Sequence, residues 1–189
     1  MKRTLATFAL ATVFATPAFA DADTYTIDSK HTFPTFEINH LGFSIQRGRF
    51  DKTSGTVTLD MKAKSGSVDV TIDTTSLDMG FDEWNQHLSD EKFFNTAKFP
   101  TMTFKSSKLI FKGDKLVEVD GDFTLLGVTK PVTLKVDLFK CAMHPMMKKD
   151  ACGANATTTI KRSEFGMGTY VPMVGDDVKI AFGIEAIKN

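Results

Sequence analysis

LVEVDGDFTLLGVTKPVTLKVDLFK, residues 116–140, alternates apolar and polar side chains almost without interruption. Val117, Val119, Phe123 and Leu125 are separated by Glu118, Asp120, Asp122 and Thr124. After the turn signal Leu126-Gly127-Val128, the residues Val132, Leu134, Val136 and Leu138 repeat the rhythm. Successive side chains of an extended chain point to opposite faces, so each half predicts a strand with one apolar and one polar face. The same period recurs outward from this stretch. Val57, Leu59 and Met61 carry it, as do Val68, Val70 and Ile72, and Val178, Ile180, Phe182 and Ile184 carry it near the C-terminus. Lys64-Ser65-Gly66 and Lys112-Gly113-Asp114 supply turns between runs. Many strands at near-even spacing predict an all-β antiparallel sandwich or barrel. Stretches as long as 116–126 and 128–140 would leave long bare edges in an open sheet, and closure removes them. A barrel of about eight strands is therefore expected, with an interior wide enough for one small ligand.

Residues 81–99 break the alternation. Phe81, Trp84 and Leu88 recur at helical spacing, with Asp82 or a neighbour placed to cap the start. Ser89 or Asp90 is placed to cap a second short helix bearing Phe93, Phe94 and Ala97, and Phe99-Pro100 ends it. The expectation is a short helical insertion near residues 81–98, folded as a helical hairpin.

The chain has 189 residues, 42% of them hydrophobic and 24% charged, the composition of a folded domain. Its 23 basic side chains balance 23 acidic ones, which leaves nothing to neutralise a phosphate backbone and argues against a nucleic-acid partner. Seventeen Phe against one Trp and two Tyr supply an unusual number of wholly apolar rings. At the N-terminus, Lys2 and Arg3 precede an apolar run from Leu5 to Phe14, then Pro17 and the small-residue frame Ala18-Phe19-Ala20. This is the order of a secretory signal peptide, with cleavage expected after Ala20 and one domain over 21–189. The run is short for a membrane span, and Asp21 and Asp23 follow at once. The expected location is the periplasm of a Gram-negative cell.

Cys141 and Cys152 are the only cysteines, and an oxidising compartment makes a disulfide between them the default. Chain entropy for a loop of about twelve residues suggests roughly 3 kcal/mol of stabilisation. The loop contains Met143, His144, Met146 and Met147, soft ligands that suit Cu(I). Periplasmic copper binding by this loop is the alternative function. No second cluster supports it, because His31, His40 and His87 are scattered along the chain. No resident metal is expected. Nor does the chain hold the HExxH, GxSxG, P-loop or GxGxxG patterns of common enzyme classes, so a non-enzyme is expected. Asn155-Ala156-Thr157 matches a glycosylation sequon by chance, given a leader of bacterial type.

Four stretches carry a more specific signal: DSKHTFPTFEINHLGFSIQRGRF at 28–50, LSDEKFFNTAKFPTMTFKS at 88–106, GDFTLLGVTKPVTL at 121–134 and KRSEFGMGTY at 161–170. Together, and in this order, they resemble the YceI-like family of exported polyisoprenoid- or lipid-binding proteins. The Cys141–Cys152 loop around His144-Pro145 matches one version of it. The resemblance spans essentially all of the chain after residue 20. It implies a lipocalin-like barrel with a long apolar pocket for an isoprenoid chain, a quinone tail or a fatty amide, and no catalytic role. That ligand is the only bound group expected, with no cofactor. It leaves open transient contact with a membrane surface and pairing into a homodimer.

Strand parity places Phe36, Ile38 and His40 on one face of the first long strand, opposite Thr35, Glu37 and Asn39. Phe43 and Phe50 flank the next turn and strand, Phe93 and Phe94 are placed as a lid, and Phe104 opens the strand after the helices. Phe123, Leu125, Leu134, Val136, Ile180 and Phe182 are expected to line the interior further down. An ordinary filled core would use the same residues, and parity alone does not say which face is inside. Arg47, Arg49, His87 and Arg162 are the head-group candidates, since arginine matches phosphate and carbonyl oxygens by directed hydrogen bonds.

Overall fold

The computed structural model describes residues 22–189. The leader expected over residues 1–20 lies outside them. Eleven strands and one α-helix make up the rest: β1 Asp23–Ile27, β2 Thr35–His40, β3 Ser44–Phe50, β4 Thr53–Asp60, β5 Ser65–Asp73, β6 Leu77–Asp78, α1 Asp82–Ser89, β7 Thr101–Lys112, β8 Lys115–Leu125, β9 Val128–Met143, β10 Asp150–Lys161 and β11 Val174–Lys188. Their hydrogen-bonded order is β1-β4-β5-β7-β8-β9-β10-β11, and β11 pairs back with β1, so eight strands close a fully antiparallel barrel. The remaining three extend its walls rather than adding new ones. β2 continues β1 and pairs with β11, β3 runs into β4 and pairs with β2, and β6 pairs with β3. The expected closed barrel is present.

The break between β1 and β2 is tied down locally. Buried Thr32 exchanges hydrogen bonds with the Glu185 backbone, and the Asp28 carboxylate holds both the His31 ring and the Lys30 N–H. Those bonds, the His31 one first, hold Asp28 below the usual carboxylate range.

Alternation delivers the core as anticipated on β4 and β5, where Val57, Leu59, Val70 and Ile72 are buried. It misleads at Leu138, which is exposed although it follows Val132, Leu134 and Val136 in parity. Asn155 pairs with Leu138 but Ala156 pairs with Val136, so Asp137 is an extra residue on β9. A bulge of one residue reverses every later side chain. Phe139 and Cys141 therefore pack against the core in place of Leu138. The Cys141–Cys152 disulfide joins two directly opposed residues of β9 and β10.

The second half of the expected helical hairpin is a correction. Within residues 81–99 only α1 is helical, starting after Phe81 with Asp82 and Glu83 in its first turn, where acidic side chains suit the helix dipole. Residues 90–99 run as successive turns instead. Asp90 accepts from the Phe93 and Asn95 N–H groups, and Asn95 takes a left-handed φ of 44°. The turns bury Phe93 and Phe94 side by side. A helix would set consecutive side chains about 100° apart.

Candidate functional site

The two ends of the barrel are filled differently. Toward one end, Val57, Leu59, Leu109, Leu116, Val119, Cys152 and Ala186 pack into a continuous core. Toward the other, the strand ends supply Ile72, Met102, Leu125, Ile160, Val178 and Ile180 to the wall of a cavity of about 190 Å3. β2 contributes Phe36, Ile38 and His40 to the same wall, which fixes the inner face of that strand. Segment 79–94 lies across the opening and adds Met79, Trp84, His87, Leu88, Phe93 and Phe94.

Aromatic contacts bind this lid to the barrel. Phe94 meets Phe50 edge-on at 5.4 Å and Phe36 at 6.0 Å between centroids, and Phe36 lies 5.9 Å from Phe50. Phe93 stands between His87 at 4.8 Å and Tyr170 at 6.2 Å, and Trp84 lies 5.9 Å from the His40 ring. The wall is apolar carbon almost throughout. Its few polar side chains include His40, Gln46, His87, Arg162 and Tyr170. Such a space favours a hydrocarbon tail, because apolar surface gains on leaving water and meets few unsatisfied polar atoms.

Of the residues singled out from sequence, Phe36, Ile38, His40, Phe50, Phe93, Phe94, Leu125 and Ile180 come together around the cavity. Phe104, Phe123, Leu134 and Phe182 are buried in the adjoining core rather than on the wall, and Val136 packs against that core. Phe43 is not on its wall. It sits in the β2–β3 turn with its ring turned outward, 91% exposed. The cavity also uses Met79, Trp84, Met102, Ile160, Met167, Tyr170, Val174 and Val178, none of them expected at the site from the sequence. Helical spacing flagged Trp84, alternation flagged Val178, and the 161–170 stretch contains Met167 and Tyr170, but no local pattern marks Met79, Met102, Ile160 or Val174.

The head-group candidates divide. Arg47 pairs with Glu37 at 3.0 Å, and Arg49 pairs with Asp51 at 2.8 Å beneath the Phe33 ring, both away from the cavity. His87 sits at the opening. Arg162 reaches the wall but is itself buried, with Nε donating to Gly175 O at 2.8 Å, Nη1 to Met167 O at 2.8 Å and Nη2 to Val174 O at 3.0 Å. Burial draws its pKa below the usual arginine value, with Asp176 opposing. No carboxylate bonds it. Asp176 instead accepts from the Ser163 N–H and hydroxyl.

The methionine loop lies at the opposite end of the barrel, with Met143, Met146 and Met147 exposed. His144 Nδ1 accepts from the Met146 and Met147 N–H groups, at 3.3 and 3.1 Å, which places the ring proton on Nε2. Metal at Nε2 would require the other tautomer and the loss of both bonds. Among the described residues no group of three His, Cys, Asp or Glu side chains is set to hold an ion.

Gly48 lies opposite Phe36 in the β2–β3 ladder, and a Cβ there would stand 2.6 Å from Phe36 Cζ and also against Met79 Sδ. Both side chains line the cavity, so Gly48→Ala is expected to push them inward. Affinity for a long-tailed quinone should fall about tenfold, or ~1.4 kcal/mol, as overpacking narrows the space. A fluorescence-quenching titration checks this, and unchanged affinity would mean that the ring moves elsewhere.

The family described as YceI-like domain matches residues 25–186. Protein YceI of Salmonella arizonae is 38% identical over 192 aligned positions, covering 100% of both chains. Among solved structures, Burkholderia cenocepacia BcnA matches with a TM-score of 0.69 at 27% identity, over 84% of this chain and 98% of that one. A polyisoprenoid binding domain from Saccharophagus degradans, implicated in plant cell wall breakdown, shares the fold with a TM-score of 0.67 at 19% identity. It covers 87% of this chain and 98% of that one.

Proposed function

The chain belongs to the YceI-like family, and we propose that it is a binding protein, not an enzyme, that encloses the tail of an isoprenoid-type lipid or quinone. The carrying observation is the apolar cavity at one end of a closed barrel, roofed by the aromatic side chains of segment 79–94. The ligand named for the S. degradans domain supports the reading. Enclosure is reversible: the tail enters past Phe93 and Phe94, and its polar end stays near His40, His87 and Tyr170. At ~25 cal/mol per Å2, each stretch of tail that leaves water for the cavity supplies driving force against ordering costs. We place the protein in the periplasm, a reading that the N-terminal pattern and a disulfide both support.

Native mass spectrometry on protein purified from its own cell envelope without detergent tests all of this. The expected result is a chain lacking residues 1–20 and carrying one organic-extractable prenyl lipid, quinone or fatty amide. A bare mass that stays bare on incubation with such lipids overturns the carrier function. A bare mass that gains copper moves the function to the 143–147 loop.

A further inference from the structure

We propose that the rim of the cavity mouth docks on the surface of a lipid bilayer, letting the amphiphile pass between membrane and barrel without crossing water. This rests on the carrier function above. The rim exposes Leu41, Phe43, Ile45, Phe81, Tyr170 and Met173. They come from the β2–β3 turn and strand, the segment before α1 and the segment before β11, which contribute to one end of the barrel. The Leu41 N–H donates to Met173 O at 3.1 Å, joining two of these segments, and Tyr170 also lines the cavity. The patch is thus continuous with the opening.

Phe43 is not exposed through slack. Leu41 and Gly42 take left-handed φ values of 58° and 76°, Gly42 N–H donates to Asn39 Oδ1 at 2.8 Å, and Phe43 N–H donates to His40 O at 3.1 Å. A turn pinned in this way holds the ring outward. Apolar side chains on projecting turns suit the headgroup layer, which they enter as wedges. A second copy seated on the same rim would cover the mouth through which the ligand must pass. Charge points to a particular kind of surface. Arg47 and Arg49 are bound to carboxylates and Arg162 to backbone carbonyls, while α1 presents exposed Asp82 and Glu83. The exposed lysines of the turns after α1, Lys92 and Lys98, share that segment with exposed Asp90 and Glu91. Among the described residues no net positive cluster is offered there, so docking is apolar and does not require anionic lipid.

Flotation with phosphatidylcholine vesicles, and with vesicles also containing phosphatidylglycerol, reads the effect. Wild-type protein is expected to float with both, at low and high salt alike. The double variant Leu41→Ser, Phe43→Ser should lose about tenfold in vesicle partition while keeping its thermal transition and its affinity for a short-chain, water-soluble prenyl quinone. Met146→Ser at the far end should change nothing. Three results overturn the proposal: wild type that binds the quinone but no vesicle, variants that still float, or a rim-dependent dimer in analytical ultracentrifugation without vesicle binding. Loss of quinone binding by wild type itself would instead overturn the carrier function on which this rests.

Discussion

Ile180→Asp is expected to weaken binding of a long-tailed quinone by at least about a hundredfold, roughly 2.7 kcal/mol, with partial recovery as the pH is lowered. Ile180 sits on β11 opposite Phe36, and both line the cavity. A carboxylate there would have to lose its water to bring a tail into contact, and burying an unpaired charge costs several kcal/mol. Burial disfavours the charged form and so raises the new carboxyl's pKa above its ordinary value of about 3.9. The bound complex, which buries it further, raises that pKa more than the free protein does. Ligand affinity therefore rises as pH falls toward and through the raised value. A tryptophan at the same position fills space without adding charge, and is expected to block the tail at every pH. Phe43→Asp changes a side chain off the wall and should leave quinone affinity in detergent-free solution unaltered. Titrations of the three variants between about pH 5 and pH 8, where most quinone probes keep their charge state, separate these outcomes. A flat pH profile for Ile180→Asp with full affinity would remove β11 from the binding site.

The eight-stranded wall was legible because its signal is local and repeated. Each run from Val57 to Leu59, Val68 to Ile72 and Val178 to Ile184 carries its own two-residue period, and closure follows from the need to pair long edges. Leu138 was illegible because its orientation depends on which residue of β10 it pairs with, and a bulge at Asp137 leaves no mark in composition. The lid was half legible. Trp84 and Leu88 have helical spacing, but Phe93 and Phe94 are neighbours that are both buried, which turns achieve and a surface helix does not. Cavity and core also divide the same residue types between them. Phe36 and Phe123 both lie on inward faces of strands; Phe36 borders the cavity with Phe50 and Phe94 beside it, whereas Phe123 meets Phe165 at 5.7 Å in the filled core, and only the third dimension separates them. The arginines show the same limit in polar form, since Arg47, Arg49 and Arg162 look equivalent in sequence. The first two take partners on the outer surface, and the third is turned inward by a chain segment contributed from residues 166–175.

That inward arginine carries the second large effect. Arg162→Met is expected to destabilise the protein by about 3 kcal/mol or more, because three backbone carbonyls lose their donor and each buried unsatisfied group costs about 1–3 kcal/mol. Methionine conserves much of the apolar stem, so lost packing is a minor part of the change. The carbonyls belong to Met167, Val174 and Gly175, which bracket the segment carrying Tyr170 to the cavity mouth. Guanidinium holds them as a rigid planar fork with one donor aimed at each. An ammonium has three donors but no fork, and it is more strongly hydrated, so Arg162→Lys should recover only a minor share of the loss. Urea denaturation reads the result directly: the midpoint should fall in both variants with little change in slope, since the surface exposed on unfolding is nearly the same. Quinone affinity should fall with stability, because the segment that frames the mouth is no longer anchored to β10 and β11. If Arg162→Met loses stability by less than about 1 kcal/mol, water has taken over the carbonyls, and the mouth is open enough there to admit it. If stability holds and only quinone affinity falls, Arg162 serves the ligand's polar end rather than the fold.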